Sequence, residues 1–177
     1  MEEGKLSKKD IKIVIAAHKP YRMPEDTMYV PLHVGAEGKK NPDGTPLDLG
    51  YQKDNEGDNI SAKNPYYCEL TGIYYAWKNI PAEYLGLVHY RRYFKGKNKS
   101  KDPFACIVTE PEMEKIFETH RIVVPKKRKY YIETLYSHYA HTHYAEHLDC
   151  VREIIGEQCP DYLNSYDRVI KQTSGYM

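Results

Sequence analysis

The chain has 177 residues, of which 41% are hydrophobic and 29% charged, and its formal net charge at pH 7 is +1. This length is typical of one domain with a core of its own, and the near-zero charge excludes a bulk electrostatic field that would recruit nucleic acid. No apolar run is long enough for a transmembrane helix or a signal peptide. We therefore expect a cytoplasmic protein that reaches any membrane-bound substrate from the cytoplasmic side.

The four cysteines are widely spaced, and none forms a CxxC pair. Cys150 and Cys159 lie nine residues apart in the sequence, which is not a zinc-ligand pattern. The pattern predicts reduced, mostly buried thiols of a cytoplasmic protein. The 18 tyrosines, against three phenylalanines, suit a sugar- or base-binding surface as well as an ordinary core.

The first predicted element is a buried strand that ends in cations. Residues 1–10 form a polar, charged tail, and a single domain is predicted over residues 11–177. Ile11–Ala17 is short, β-branched and nearly all apolar, which predicts a buried strand. His18 and Lys19 follow it directly, so a polar, cationic cluster stands just past the end of this strand.

The second predicted strand, residues 29–34, is weaker. Pro31 lies within it, and proline fits an edge or a bulge better than a central position. Gly35 ends the strand.

A long polar segment, residues 35–62, comes next. A loop of this length inside a compact domain is usually functional or disordered, and we expect a functional, mobile loop. Asp58, Asn59 and Ser61 near its end have short hydrogen-bonding side chains that suit a sugar or a ribose. The alternative is a turn made of turn-forming residues.

A helix is predicted to begin at Asn64, with asparagine as the N-cap and Pro65 in the first turn. Glu69 lies off the apolar stripe of this helix and faces either solvent or a cleft. The apolar residues recur at helical spacing and predict one buried face, formed by Leu70, Ile73, Tyr74 and Trp77.

The next strand contains the most informative pattern of the chain. Its apolar run, 85–88, predicts a strand buried on both faces, and the sequence then changes at once to His89, Tyr90, Arg91 and Arg92. In open α/β sheets, ligands bind beyond the carboxyl ends of strands, and guanidinium groups grip phosphate or carboxylate bidentately. The pattern predicts an anion-binding site, with ordinary surface charges as the alternative.

Four further segments follow this strand. Residues 95–102 predict a basic, flexible loop, and residues 109–112 predict a capping box at the start of a helix. Residues 121–125 predict another short buried strand. The cationic run 126–129 behind it can hold phosphate or lie on an anionic membrane surface, or it can be a solvated loop.

The remainder is predicted to be helical, and four histidines crowd its first part. Histidines at helical spacing can share a metal ion, but these do not all converge on one face, so polar helix-end or cleft histidines are the main expectation and a metal site the alternative. The four are His138, His141, His143 and His147. The predicted apolar stripe of the same stretch consists of Ile132, Leu135, Tyr136 and Tyr139.

Strands that alternate with helices predict an α/β fold with a largely parallel sheet. The polar residues after two of the strands, at 18–19 and 89–93, then lie at the same sheet edge. The natural guest of such an edge is an anionic small molecule, such as a nucleotide or a nucleotide sugar.

Six segments carry a family resemblance: IVIAAHKP, VPLHVGA, GDNIS, YCELTGIYYAWKN, LGLVHYRRYF and YSHYAHTH. Together, and in this order, they resemble the DUF4422 family of bacterial glycosyltransferases and glycosyltransferase-like proteins from capsular and exopolysaccharide gene clusters. The resemblance covers nearly the whole chain from residue 11, and the HYRRYF block is its most specific part. It implies a GT-A-like, nucleotide-sugar-binding fold, and transfer of galactose or galactofuranose from a UDP donor to a growing glycan.

On this hypothesis the nucleotide sugar lies across the strand ends. His18 and Lys19 contact the nucleotide, while Val34 and Gly35 let its base or ribose approach closely. The loop residues named above hold ribose or sugar hydroxyls, and Tyr90 belongs to the same binding site. His89, Arg91 and Arg92 balance the diphosphate charge as it leaves. If the reaction inverts, Glu69 or His89 accepts the proton of the acceptor hydroxyl.

Two departures from the family pattern affect these expectations. No Asp-x-Asp motif follows a strand, and Asp58 and Glu69 are isolated carboxylates. Either cations hold the diphosphate, or Mn²⁺ or Mg²⁺ uses an irregular ligand set. Relatives continue past residue 177, so the chain is expected to lack the C-terminal segment of the family.

The expected partners are a UDP-sugar donor and a lipid-linked or oligosaccharide acceptor, without nucleic acid. Peripheral contact with the inner membrane face is compatible with the basic segments. Two rival functions are a non-catalytic nucleotide- or glycan-binding module of a polysaccharide assembly system, and a metal-dependent hydrolase built on the histidine cluster.

Overall fold

A computed structural model describes residues 8–176. The chain divides into two units, one up to Ile122 and one from Val123 onward, and each is described by itself. The expectation of one domain over residues 11–177 stays a prediction. Most of the polar tail, residues 1–7, lies outside the described residues, whereas the Asp10 carbonyl accepts backbone hydrogen bonds from Glu83 and Tyr84.

The first unit is built on a four-stranded sheet in which all neighbours are parallel. β1 (Ile11–Ala17) lies between β2 (Tyr29–His33) and β4 (Tyr84–His89), and β3 (Gln52–Lys53) pairs with the far side of β2. The predicted α/β architecture with a largely parallel sheet is confirmed. The sequence did not predict β3, whose two residues are polar and lie within the long loop.

The core of this unit forms around β1, whose residues 13–17 are all buried. A nearly continuous apolar run is the expected sequence of a strand with a neighbour on each side and both faces covered. β4 differs, because it is the edge strand of the described sheet and only Val88 of its apolar run is fully buried. The prediction that run 85–88 is buried on both faces is therefore wrong for most of its residues.

Pro31 lies at a position where the missing N–H removes no ladder bond. The Val34 amide donates to the Ala17 carbonyl, and alternate residues of a strand face the same neighbour, so the Pro31 nitrogen faces away from β1. On that side β3 pairs only with Leu32 and His33. At the level of Pro31, β2 is therefore locally an edge, as the proline predicted.

The helix predicted from Asn64 is in fact two helices, α1 (Asn64–Tyr67) and α2 (Leu70–Asn79). They are separated at Cys68, which has a positive φ of 47°. The predicted N-cap role of Asn64 is wrong, because Lys63 occupies the cap position. The Asn64 amide instead donates to the Cys68 carbonyl and to the Thr71 hydroxyl, which closes the turn between the two helices.

The buried face of α2 also differs from the prediction. Leu70 and Trp77 are 56% and 64% exposed, although hydrophobic spacing placed them in the buried stripe. The helix packs on the sheet through a face that contains small residues, and a Cβ on Gly72 would come within 2.8 Å of the Val34 side chain. Close approach of helix and sheet therefore selects this face, which consists of Thr71, Gly72, Tyr75 and Ala76.

The helix α3 (Glu110–Phe117) begins as predicted. Both hydrogen bonds of the capping box between Thr109 and Glu112 are present. Met113 is buried, and the Phe117 ring stacks on Tyr84 with the ring centroids 3.9 Å apart. Local capping and an apolar face together account for this helix.

The buried strand predicted at 121–125 does not form. Ile122 and Val124 are 78% and 58% exposed, and no strand of the described residues pairs with this stretch. A strand needs a partner for its backbone groups, and the apolar sequence alone does not supply one. The short strand of this region is β5 (Arg128–Lys129), which pairs antiparallel with β6 (Ser174–Gly175).

The second unit contains three helices, α4 (Leu135–Thr142), α5 (Ala145–Gln158) and α6 (Leu163–Ile170). Ile132, predicted to begin the apolar stripe of the first of these helices, precedes it and is 97% exposed. Within residues 8–176, no helix has both the length and the apolar composition needed to cross a bilayer.

All four cysteines are free thiols. Three of them are exposed, and Cys106 is half-buried. The expectation that the thiols are mostly buried is therefore wrong. Cys150 lies on an exposed part of α5, Cys159 directly follows that helix, and Cys68 lies at the junction of α1 and α2.

Candidate functional site

A cleft of about 210 Å³ lies at the carboxyl edge of the sheet, where β1, β2 and β4 end; we call it the strand-end cleft. Parallel strands bring their carboxyl ends to one edge, which is why residues far apart in sequence meet there. The lining residues are Ala16, His18, Val34, Asn64, Cys68, Glu69 and His89.

Four of the predicted site residues, His18, Val34, Glu69 and His89, are thus brought together. Sequence analysis missed Asn64 and Cys68. Their place in the cleft follows from the break between α1 and α2, and asparagine before a proline was taken only as a helix signal.

Two ionisable side chains face each other in the cleft, with His89 Nε2 and Glu69 Oε1 3.8 Å apart. Burial lowers the pKa of His89 below its ordinary 6.5, the charge of Glu69 opposes this, and the nearby cations Arg91, Arg92 and His18 lower it further. The imidazole is therefore neutral at pH 7.

The hydrogen bond at Nδ1 determines the tautomer of the neutral His89 ring. The Arg91 backbone amide donates to His89 Nδ1 at 3.3 Å, so Nδ1 is the acceptor and the proton lies on Nε2. His89 consequently presents an N–H to the cleft, on the side of Glu69.

Tyr90, 2% exposed, anchors the cationic side of the cleft. Its ring centroid lies 5.3 Å from that of His18 and 4.2 Å from that of His89. Lys19 Nζ lies 5.7 Å and Arg91 Cζ 5.1 Å from the same ring. One buried aromatic ring thus gathers two cations and two imidazoles at the end of β1 and β4.

Arg92 occupies the turn that follows β4. Its backbone amide donates to the His89 carbonyl at 2.8 Å, and its side chain, like those of Lys19 and Arg91, is exposed. Arg91 and Arg92 do not line the strand-end cleft but are close enough to His89 to act on its charge. Exposed cations thus stand near the cleft, as an anion-binding site requires.

The loop residues Asp58, Asn59 and Ser61 are not brought into the strand-end cleft. The Asp58 carboxylate accepts from the Tyr74 hydroxyl at 3.0 Å and lies 3.9 Å from Lys78 Nζ, on the second half of α2. The Asn59 side chain is bonded to backbone groups within two residues of itself. Their predicted contact with sugar hydroxyls stays a prediction.

Ser61 is one of four donors around a carboxylate that sequence analysis missed. Asp54 is fully buried, and it accepts hydrogen bonds from the Gly35 and Ala36 amides and from the Ser61 and Thr71 hydroxyls, at 2.5–3.0 Å. It joins the end of β2, the long loop and α2, and so fixes one wall of the cleft. Its only sequence signal was a carboxylate in a polar loop.

Gly35 directly follows β2 in a left-handed conformation, with a φ of 65°. A Cβ at this position would collide with the Asn64 side chain. The absence of a side chain at Gly35 therefore lets the Asn64 side chain pack closely against the backbone there, and Asn64 lines the cleft. Direct contact of Gly35 with a nucleotide stays a prediction.

The carboxylates of the described residues are not gathered into a cluster that could hold a divalent metal. Among residues 8–176, no group of three histidine, cysteine, aspartate or glutamate residues is placed to hold a metal ion. Both oxygens of Asp54 are already used by intrachain donors. In the second unit, His138 and His141 both bind the Glu133 carboxylate, at 2.9 and 2.6 Å. These residues do not fit a metal held by a carboxylate set.

Comparison with known proteins agrees with this architecture. A sequence family described as a domain of unknown function, DUF4422, matches residues 12–177. No curated protein sequence matches. The apo structure of the bifunctional glycosyltransferase WbbM is similar over 94% of this chain, with a TM-score of 0.79 and 28% sequence identity. The chain spans 32% of the length of that protein. The GT-A-like fold that the resemblance implied is confirmed.

Proposed function

The chain belongs to the DUF4422 family, and we propose that it is a glycosyltransferase. It transfers galactose or galactofuranose from a UDP-sugar to a lipid-linked or oligosaccharide acceptor, a growing capsular or exopolysaccharide glycan. The observation that carries the proposal is the strand-end cleft with His18, Glu69 and His89, in a chain similar to a bifunctional glycosyltransferase over 94% of its length.

In this proposal, side-chain cations balance the donor diphosphate. The proposed groups are Lys19, Arg91 and Arg92, which follow the ends of β1 and β4. The first two lie 5.7 and 5.1 Å from the Tyr90 ring. Negative charge builds up on the diphosphate as the bond to the sugar breaks, and positioned cations stabilise that charge most in the transition state.

Glu69 is the general base of the proposed reaction. Its carboxylate is half-exposed at the start of α2, and the neutral His89 presents an N–H, not a lone pair, on that side. In an inverting transfer the acceptor oxygen forms the new bond to the anomeric carbon, the bond from that carbon to the diphosphate breaks, and Glu69 takes the acceptor proton. His89 then offers its Nε2–H to the bound donor.

We also propose that the protein acts at the cytoplasmic face of the inner membrane. The cationic segments at 95–101 and 126–129 carry the charge that attracts anionic lipids. Cosedimentation with vesicles that contain anionic lipid, and none with neutral vesicles, is the expected result.

The first experiment is a thermal-shift screen against UDP, GDP, CMP and UDP-galactose, each with Mn²⁺ and with a chelator. A ligand that binds only the native state raises the melting temperature, and we expect UDP and UDP-galactose to raise it by at least about 3 °C. The shift should persist with the chelator, because cations of the chain hold the diphosphate. A flat response to every nucleotide would contradict the proposal.

Two double variants test which cations of the chain bind UDP. Replacing Arg91 and Arg92 with alanine should weaken UDP binding at least about tenfold, since a charge-assisted hydrogen bond contributes roughly 1.5–3 kcal/mol. The control replaces Lys115 and Arg121, two exposed cations outside the cleft, and should leave UDP affinity unchanged. UDP binding without sugar transfer to any acceptor would favour the non-catalytic binding module.

A further inference from the structure

A second cavity, of about 420 Å³, adjoins the strand-end cleft, and we call it the aromatic pocket. Its walls carry the rings of Tyr21, Tyr90, Tyr93, Phe94 and Phe104. Aromatic faces are negative and apolar, and the C–H face of a pyranose ring is apolar with positive hydrogens, so the two pack well. A concave, aromatic-lined cavity with a few polar groups is the usual form of a small-molecule site.

The charge of the aromatic pocket has one sign. Arg91 and Lys95 line it, and no carboxylate does. The adjoining loop adds Lys97, Lys99 and Lys101, all exposed. A ligand that carries a negative charge next to its ring is therefore complementary to this cavity, because guanidinium and ammonium groups bind carboxylate or phosphate.

The walls of the pocket are held in place by contacts behind them. Arg22 lies over the Phe104 ring, 4.3 Å from its centroid, and binds Asp102 through two hydrogen bonds of 3.0 and 2.7 Å. Tyr93 packs against Tyr29 with the ring centroids 5.9 Å apart. Burial raises the pKa of Tyr93 to about 12, so its hydroxyl keeps its proton at neutral pH.

Tyr90 lines the aromatic pocket and packs against two residues, His18 and His89, that line the strand-end cleft. Its ring contacts His18 and His89 of the strand-end cleft and, at a centroid distance of 5.1 Å, Tyr21 of the aromatic pocket. The Tyr90 ring and the two histidines behind it therefore lie between a ligand in the aromatic pocket and the proposed donor site.

We propose that the aromatic pocket is the acceptor subsite and takes a pyranose ring that bears a carboxylate or a phosphate. The acceptor role rests on the proposed function, whereas binding of an anionic sugar can be measured without any transfer reaction. The two cavities each contain a cysteine, Cys68 in the cleft and Cys106 in the pocket, so occupancy of each is measurable separately.

The test follows the rate at which iodoacetamide labels each cysteine of the full chain, by peptide mass spectrometry. The ligands are methyl glucuronide, glucose 6-phosphate, methyl glucoside, inorganic phosphate and UDP. We expect both anionic sugars to slow labelling of Cys106, about twofold when half of the sites are occupied, and to leave Cys68 unchanged. UDP should slow the labelling of Cys68. The exposed thiols Cys150 and Cys159 are internal controls.

A pair of variants ties the protection to the pocket. Tyr21→Ala removes a partly exposed wall and should abolish the effect of the anionic sugars on Cys106, while UDP still slows Cys68. Tyr66→Ala is the matched control, because Tyr66 is 86% exposed and lines neither cavity. Equal loss of protection in both variants would overturn the assignment.

The two proposals fail in different ways. If UDP slows Cys68 and no sugar slows Cys106, the subsite is wrong and the glycosyltransferase proposal stands. If the anionic sugars slow Cys106 and UDP has no effect, the acceptor role fails with the proposed function. Equal protection by methyl glucoside would overturn the charge requirement, and equal protection by inorganic phosphate would overturn the requirement for a sugar ring.

Discussion

Asp54 is the residue on which the walls of the strand-end cleft depend most. Four donors from three separate segments converge on its buried carboxylate. Such a group stabilises the fold only while all its partners are present, since each buried donor left without an acceptor costs free energy. Its role is structural, and it holds the segments that carry Val34, Asn64 and Glu69.

Replacing Asp54 with alanine should lower the free energy of unfolding by roughly 3 kcal/mol or more, because hydrogen bonds to a charged group are lost and buried donors remain unpaired. Urea denaturation followed by circular dichroism measures this. Asp43→Ala is the control, since Asp43 is exposed and bonds only within its own turn. A loss below about 1 kcal/mol for Asp54→Ala would mean that water replaces the carboxylate.

His33 predicts a pH dependence of stability. It is 1% exposed, and its Nδ1 finds no hydrogen-bond partner among the described residues. Burial lowers the pKa of His33 below 6.5, with Asp54 and Asp48 opposing and Lys53 and Lys39 adding to the effect.

The unfolded chain therefore binds more protons than the folded chain as the pH falls below about 6.5, and the free energy of unfolding decreases there. We expect a decrease between pH 7.5 and 5.5, and a flatter dependence for His33→Gln. His120→Gln, at an exposed site, should keep the slope of the natural chain. An equal slope in all three proteins would contradict this role of His33.

The proposed base gives a kinetic prediction. Glu69→Gln should reduce kcat by about 10²–10⁴, the usual contribution of a positioned general base, with UDP affinity nearly unchanged. Steady-state transfer rates and UDP titration together measure this. Glu118→Gln changes an exposed glutamate of the same unit and should have normal kcat. If Glu69→Gln weakens UDP binding instead of turnover, Glu69 belongs to the donor contacts.

At the scale of elements, α2 decides how the long loop and the sheet meet. Its buried face combines Gly72 and Ala76, which permit close packing, with Tyr75, whose hydroxyl accepts a hydrogen bond from Gln52 of β3. The more hydrophobic stripe of the same helix, with Leu70 and Trp77, lies on the exposed side. Packing distance, and not hydrophobicity alone, sets the orientation of this helix.

Two substitutions in α2 test that orientation. Tyr75→Ala should lower the free energy of unfolding by about 3 kcal/mol, because Tyr75 is 3% exposed and its loss leaves a cavity. Trp77→Ala should lower it by less than about 1 kcal/mol, since the ring already faces solvent. Urea denaturation measures both, and a reversed order would show that the hydrophobic stripe is the buried face.

At the scale of the whole molecule, the buried residues are unevenly distributed. The first unit contains the parallel sheet and nearly the whole buried core, whereas Tyr130 and Gly175 are the only buried ones among the described residues of the second unit. Local stability follows buried apolar contacts, so the two units should open at different free energies.

Hydrogen exchange should show this difference directly. Amides of α5 should exchange through openings of lower free energy than amides of β1, whose residues 13–17 are all buried. Mass spectrometry of peptides from the full chain measures both at once. Equal protection of α5 and β1 would mean that the second unit opens only with global unfolding.

The sequence by itself determined the features that depend on neighbours along the chain. The apolar runs of β1 and β4, the capping box at Thr109 and the cationic residues beyond the strand ends were all predicted, because composition and local hydrogen bonds act over a few residues. The family resemblance followed from the same local segments. Residues 89–92 are the clearest case, since a strand and its functional end are contiguous.

Only the tertiary structure decided which of these segments meet. Asp54 binds donors from segments far apart in sequence, and α2 packs on the sheet through its small residues. Asn64 and Cys68 line the cleft, whereas residues 121–125 have no strand partner. These outcomes depend on distances between segments far apart in sequence. A local sequence pattern is compatible with a buried or an exposed position, and packing and backbone pairing decide between them.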